Sequence, residues 1–334
     1  MKNIVVNDEY NQTDLKPTAL LEQYISSLHK DVLALLAQPS LLKARVCPGC
    51  GSSKALRTFE RSGFLYKECA DCASLYVDPR PSDEQINRFY RQAPSKIFWR
   101  NQLSEVSRGQ RKEKIIKPRF EWVLDSAAEH LPSAKHWVDV HTGQKRYLEG
   151  MARTSFKQKT VIYPYCDTPS LQGVTLVDKP WWETDIHQTA DVITLFEVLD
   201  HTGDVAGLFT KMRHMLSPGG LCFMTAILAS GFDIKELGPH AKNIYPPDRL
   251  NVFSVKGLKA LIERHGFECL EFSTPGILDV NIVAEAFKEN PAIATSAFIR
   301  SLALEAGEET KRAFQEFLQA NLLSSYGRIL IRKN

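Results

Sequence analysis

The stretch ADVITLFEVLDHTGDVAGLFTKMRHMLSPGGLCFMTAI, Ala190 to Ile227, decides the fold. ADVITLFEVL reads as a long apolar strand. DVAGLFTKMRHML then places Val205, Leu208, Phe209, Met212, Met215 and Leu216 at three- and four-residue spacing, which predicts an amphipathic helix. SPGG ends that helix, with glycine in the C-cap region. LCFMTAIL is the next strand. Strand, helix and strand in this order is the repeating unit of a parallel sheet.

The alternation runs outward in both directions. Upstream, HWVDV reads as a strand, KRYLEGMA as a helix, and TVIYPYC and VTLV as strands. Only TPSLQG separates the last two, so the helix expected between them is missing. Downstream, SVKGLKALIERHG reads as a helix capped by Ser254 and stopped by Gly266, followed by the strand FECLEFSTPG. ETKRAFQEFLQANLL is helical, with Phe314, Phe317, Leu318 and Leu322 at core or interface spacing, and GRILIRK closes the chain as a strand. The pattern predicts an α/β fold with a mainly parallel sheet and helices on both faces.

Before the sheet the chain is organised differently. Residues 18–37 repeat Leu21, Ile25, Leu28, Val32, Leu35 and Leu36 at helical spacing, an apolar face for packing against the ribbon that follows or a subunit partner. In DPRPSDEQINRFY, Pro79 and Pro81 break the chain and Ser82 caps a helix through Glu84 and Gln85. Residues 103–130 are helical, and their lysines read as a solvated face.

Four of the seven cysteines fall in two pairs, Cys47-x2-Cys50 and Cys69-x2-Cys72, eighteen residues apart. Each pair sets two thiolates on one tight turn, the spacing of a tetrahedral zinc site. Gly49 and Gly51 supply the backbone twist, and KALRTFERSGFLYKE between the pairs alternates around Ser62-Gly63 like a hairpin. This is the pattern of a zinc ribbon. A shell of four cysteines leaves no open position, so its zinc is structural. Cys222 and Cys269 lie in apolar strands and read as buried thiols.

Composition narrows the rest. The 334 residues are 43% hydrophobic and 24% charged, with net charge +3 and pI about 8.4. That balance is too weak to indicate nucleic acid or a membrane surface. No apolar run approaches the ~20 residues of a membrane span, and MKNIVVNDEYNQTD has no signal-peptide core. The expected location is cytoplasmic.

The order of elements around Ala190–Ile227 resembles the class I S-adenosylmethionine (SAM)-dependent methyltransferases: strand, acidic-His step, helix, PGG turn, strand. NIYPPDRLNVFSVKGLKALIERHGFECLEFSTPG, together with the ribbon and its PRPS segment, is similar to a subgroup that includes sugar C-methyltransferases. The resemblance implies a Rossmann-like sheet with an N-terminal zinc ribbon and helical additions. The expected organisation is a helical segment over 1–44, the ribbon over 45–90, and a helical linker over 91–130. A methyltransferase-like domain over 131–276 follows, then a C-terminal helical lid with the last strand over 277–334.

It also implies site residues. The cofactor loop of the family reads like D-x-G-x-G-x-G; here it is Asp139-Val140-His141-Thr142-Gly143-Gln144-Lys145, which keeps the acid and the middle glycine. Asp139, His141, Gly143, Asp167, Asp178, Phe196 and Glu197 form the implied SAM-binding set, with Asp185 an alternative to Asp178. His201 stands in the position of a family active-site histidine, a candidate general base. Tyr245 and Asp248 lie in the segment that the subgroup places over substrate. Arg249 replaces a histidine there; it cannot act as a base but suits a phosphate or carboxylate. The Trp181-Trp182 pair reads first as packing and second as a stacking surface. The expected activity is methyl transfer to a small molecule such as a nucleotide-linked or surface-polysaccharide sugar. The alternative is an inactive methyltransferase-fold protein with structural zinc, acting as a binding or scaffolding subunit. A homodimer and a partner protein both stay open.

Overall fold

The computed structural model describes residues 1–5, 18–37, 42–140, 145–162, 171–185 and 189–334. Its centre is a seven-stranded sheet. The strands are β4 (His136–Val140), β5 (Gln158–Ile162), β6 (Thr175–Val177), β7 (Ala190–Phe196), β8 (Leu216–Ile227), β10 (Phe267–Ser273) and β11 (Tyr326–Lys333). Their order in space is β10-β11-β8-β7-β4-β5-β6. β6, β5, β4, β7 and β8 are parallel, and β11 runs antiparallel between β8 and β10. The chain reverses its direction of travel between β4 and β7, which opens a crevice at their carboxyl ends.

Period-two alternation loads both faces of this sheet. Val138, Ile193, Leu195, Cys222, Met224, Ile329 and Ile331 face one side, against α6 (Val205–Met215) and α8 (Val255–Arg264). Trp137, Val161, Val192, Leu221, Phe223 and Leu330 face the other, against α4 (Lys117–His130) and α5 (Lys145–Ala152). Strands sandwiched in this way must be apolar throughout, which is why they read as continuous runs. Trp181 joins the first core and meets Trp182 edge-on at 5.4 Å, so the tryptophan pair is packing.

A second sheet is antiparallel, in the order β1-β2-β3-β9. β1 (Ala55–Arg61) and β2 (Phe64–Cys69) form the expected hairpin, with Ser62 and Gly63 at φ 49° and 81° in the turn. β3 (Leu75–Val77) follows. The fourth strand, β9 (Asn251–Val252), comes from the far end of the chain and pairs with β3. A common apolar core joins α1 (Thr18–Leu36), the ribbon, α2 (Asp83–Gln92), α7 (Phe232–Leu237), α9 (Asp279–Glu289) and α10 (Ala297–Leu304). α3 (Pro94–Phe98) follows α2, the helical path continues through residues 99–116 to α4, and α11 (Glu308–Ala320) precedes β11.

Three details differ from expectation. α6 ends at Met215 on an extended Leu216, so SPGG lies in the irregular start of β8 and Gly219 takes φ 74° there. On α1 the buried face is Tyr24, Leu28 and Val32, while Ile25 is exposed. Gly51 has the positive φ of a knuckle turn, 81°, but Gly49 does not. Gly49 is small for another reason: a Cβ there would stand 3.2 Å from the Gly257 Cα. The Ser82 capping box forms with Gln85 as read. No helix among the described residues is long and apolar enough to cross a membrane.

Gly257 marks where the ribbon meets α8. A Cβ there would fall 2.2 Å from Ser74 Oγ and 3.0 Å from Cys72 Sγ. Gly257→Ala is therefore expected to lower stability by about 1–3 kcal/mol, read as a shifted urea midpoint at constant slope. Gly109, whose Cβ would meet nothing within 4 Å, is the control, and Gly109→Ala should be neutral or slightly stabilising.

Candidate functional site

The four cysteines converge. Cys47 and Cys72 sulfurs lie 3.6 Å apart, Cys50 and Cys69 3.5 Å, and all four within 4.8 Å of one another. A tetrahedral ion with Zn–S bonds of about 2.3 Å needs S···S edges of about 3.8 Å, so the donor set fits. The two knuckles are built alike. The Cys47 and Cys69 amides donate to the Ser52 and Ser74 carbonyls, and their own carbonyls accept from the Gly51 and Ala73 amides. Ala73, at φ 60°, takes the left-handed place that Gly51 holds in the other knuckle. Ser254 fastens the cluster to the sheet domain: it caps α8, its amide donates to Ser74 Oγ at 3.0 Å, and its hydroxyl donates to the Cys72 carbonyl.

The second site lies at the carboxyl ends of β4 and β7. β7 ends at Phe196, and Glu197 turns into the left-handed region at φ 62°, its amide donating to Thr225 Oγ1 at 3.1 Å. A non-glycine residue in this region is strained, and such strain gathers at functional sites. The turn that follows buries Asp200 and His201 completely or nearly so, at 0% and 3% exposure. Asn251 of β9 holds it by donating to the Leu199 and Thr202 carbonyls, each at 2.7 Å.

Charged side chains crowd this edge. Arg249 Nη1 lies 3.1 Å from Asp200 Oδ2, though neither Asp200 oxygen accepts an aligned hydrogen bond among the described residues. Arg119 of α4 donates to Glu197 Oε1 at 2.5 Å, above the Phe196 ring. Asp248 accepts from Tyr24 at 2.9 Å, from Tyr90 and from Lys96, whose ammonium also reaches the Tyr24 hydroxyl at 2.8 Å. The His201 ring sits 4.7 Å from that of Tyr90. Tyr245 is half-buried beneath the Arg249 guanidinium.

Burial and charge separate the proton affinities. Burial pushes the Asp200 carboxyl up to about 7, against the pull of Arg249. Burial lowers His201 to about 4, against the pull of Asp248, so its imidazole is neutral near pH 7. For Asp248 burial works upward, but Lys96 and the Tyr90 hydroxyl outweigh it and hold the carboxyl at about 2. Glu197 is likewise held at about 2, because Arg119 and Arg249 outweigh its desolvation. Burial raises the Tyr245 phenol to about 12.

The structure therefore brings together Phe196, Glu197, His201, Tyr245 and Asp248 from the expected set. Asp139 ends β4 close by, buried, and accepts from the Thr194 hydroxyl, which in turn takes Trp137 Nε1 at 3.0 Å. Asp178 is apart: its side chain is 72% exposed and pairs with Arg91 at 2.5 Å. Asp185 is exposed and pairs with Lys211. His141, Gly143 and Asp167 lie outside the described residues. Sequence reading missed Tyr24, Tyr90, Lys96, Arg111 and Arg119. The lysines of the linker do face solvent, as Lys112 and Lys117 show, while Arg111 and Arg119 turn inward. A helix carrying arginine on the same face as Trp122 and Val123 was the available signal.

The opposed shifts predict a pH signature in stability. His201 binds its proton near 6.5 when unfolded and near 4 when folded, so its contribution is lost as pH falls through that window. Asp200 does the reverse: its folded pKa of about 7 exceeds the ordinary 3.8, so its contribution is lost as pH rises from about 4 to 7. Urea midpoints between pH 4 and 8 should show His201→Asn losing less stability on acidification than the native chain. Asp200→Asn should lose less than the native chain on approach to neutrality.

The family described as "Methyltransferase domain" matches residues 48–271, more than half of the chain, a span that holds Cys50, Cys69 and Cys72 and starts just after Cys47. No curated protein matches. Among solved structures, the plantazolicin methyltransferase BpumL in complex with SAH is 12% identical, with TM-score 0.45, over 75% of this chain and 94% of its own. The mycolic acid cyclopropane synthase CmaA1, complexed with SAH and CTAB, is 13% identical, with TM-score 0.38, over 63% and 84%. The N-methyltransferase NodS from Bradyrhizobium japonicum WM9 is 13% identical, with TM-score 0.35, over 66% and 97%. The strand order, the antiparallel β11 and the crevice between β4 and β7 are those of the Rossmann-like class I methyltransferase fold, and the chain belongs to the methyltransferase-domain family.

Proposed function

We propose that the chain is a SAM-dependent methyltransferase of a small-molecule acceptor, with a structural zinc ion in its ribbon. The observation that carries this reading is the acid–base cluster of Asp200, His201 and Arg249 at the carboxyl end of β7, in a chain of this family. Bound SAM supplies an electrophilic methyl group on sulfur. The protein then has to orient the acceptor and take its proton. His201 is neutral at physiological pH and can accept that proton; Asp200 beside it, near 7, can relay it. Arg249 stays protonated and serves as an anchor for an anionic group on the acceptor. A nucleotide-linked sugar carries such a group in its diphosphate, and the sequence pattern of ribbon plus sheet resembles that of a subgroup that includes sugar C-methyltransferases. Nothing described favours an inactive scaffold.

The reading is tested by calorimetric titration of the zinc-loaded protein with SAM and with S-adenosylhomocysteine (SAH), followed by mass spectrometry of nucleotide sugars after incubation with SAM. Micromolar binding and a methylated acceptor are expected; absence of binding at millimolar ligand refutes the reading. His201→Asn should keep SAM affinity while kcat falls by roughly 100-fold or more. An unchanged kcat removes His201 from the mechanism.

The zinc assignment generates a separate expectation. Cys69→Ser should abolish the single zinc per chain found by elemental analysis and lower Tm by on the order of 10 °C. Because β9 belongs to the ribbon sheet, SAH affinity should fall with it.

A further inference from the structure

Two acids that the proposed chemistry does not use are buried together. Asp233, on α7, is 0% exposed, and Asp279, at the start of α9, 2%. Three donors converge on Asp279. The Ser325 amide reaches Oδ1 at 2.7 Å; the Ser324 hydroxyl and Gln315 Nε2 reach Oδ2 at 2.6 and 2.8 Å. Asp233 Oδ2 accepts from Asn243 Nδ2 at 2.7 Å, and the Ser325 hydroxyl bonds the same carboxyl. Asp233 Oδ1 has no hydrogen-bond partner among the described residues. Ser325 thus bridges the two acids, with its amide on one and its hydroxyl on the other.

No cation answers this pair among the described residues. Lys235 of α7 turns to Glu68, Lys242 of the following loop pairs with Glu289, Glu236 accepts from Thr295, and His240 is exposed. α11 and the turn before β11 face the acids with Gln315, Ser324 and Ser325, which carry no charge. Two buried carboxylates without a counter-charge are costly, and a single proton removes one of the charges. The donors select its carrier: both Asp279 oxygens are already served, and Asp233 Oδ1 is not. Burial first, and the Asp279 charge after it, push the Asp233 carboxyl well above its ordinary value. The contacts join α7, the start of α9, the turn before β11 and the loop of Asn243, which precedes Tyr245 by two residues and Arg249 by six. From this geometry we propose that Asp233 carries a proton that latches the Tyr245–Arg249 loop to the C-terminal helices, and that loss of this proton in alkali frees the loop. The latch depends on neither the cofactor nor the acceptor.

Folded Asp233 keeps its proton where the unfolded chain has lost it, so its contribution to stability is full in acid and is lost as pH rises. Urea unfolding between pH 5 and 8 compares the native chain with Asp233→Asn, a neutral isostere. The unfolding constant of the native chain should rise by about tenfold per pH unit relative to that of the variant. Hydrogen-exchange protection over residues 238–249 should fall more steeply with pH in the native chain than in Asp233→Asn. Infrared spectra at pH 8 answer even where Asp233→Asn does not fold. A carboxylic-acid band should persist in Asp200→Asn, which removes the other acid of raised proton affinity. Parallel unfolding curves, equal slopes of protection, or no acid band in Asp200→Asn each overturn the proposal.

Discussion

The ion pair of Lys96 with Asp248 is the contact on which the site depends. Lys96 is 6% exposed and Asp248 8%, and two tyrosine hydroxyls complete their coordination. Removing either charge would leave the other buried and unpaired, a loss of about 3–5 kcal/mol. The four residues come from α1, α2, α3 and the loop before β9. One small cluster therefore sets three N-terminal helices and a C-terminal loop in register. The same loop sets Tyr245 beneath the Arg249 guanidinium and brings Arg249 onto Asp200.

From Asp248 the constraint passes along the chain in three residues. Asn251 holds the His201 turn through two carbonyls and pairs with the ribbon through β9. Ser254 then caps α8 and bonds the backbone of Cys72. The cysteine cluster is thus continuous with the strand edge. A closed four-thiolate shell offers no place for a substrate. Its contribution is to fix a short strand that could not hold its position alone.

Elements whose pattern is local were legible in the sequence. The strands of the large sheet are buried on both faces and read as apolar runs; the hairpin turn and the four cysteines follow from spacing. What escaped was set by partners far away in the chain. Lys96 is an ordinary surface residue by its neighbours and becomes buried only because Asp248, 152 residues later, neutralises it. Arg119 pairs with Glu197 across 78 residues. Gly49 was credited with a twist, when its smallness serves the approach of α8, an element over two hundred residues downstream. The buried face of α1 carries Tyr24 in place of Ile25 because the Tyr24 hydroxyl meets the buried Lys96, a partner that leucine spacing does not reveal.

Three carboxyl groups share this edge, and their environments divide the work among them. Glu197 and Asp248 each meet a direct cation, which holds both carboxyls at about 2 and keeps them ionised at neutral pH. Asp200 has an arginine within 3.1 Å but no aligned hydrogen bond, and full burial outweighs that single attraction. Its proton is mobile at neutral pH, next to an imidazole that burial keeps neutral. Under the proposed chemistry, groups pushed apart in this way would separate into fixed charges that orient and labile ones that accept and relay protons. Arg249 stands at the boundary, touching Asp200 and Glu197 alike. A ligand that draws its guanidinium toward Glu197 would weaken its hold on Asp200 and raise that carboxyl further, tying occupancy of the crevice to the proton affinity beside it.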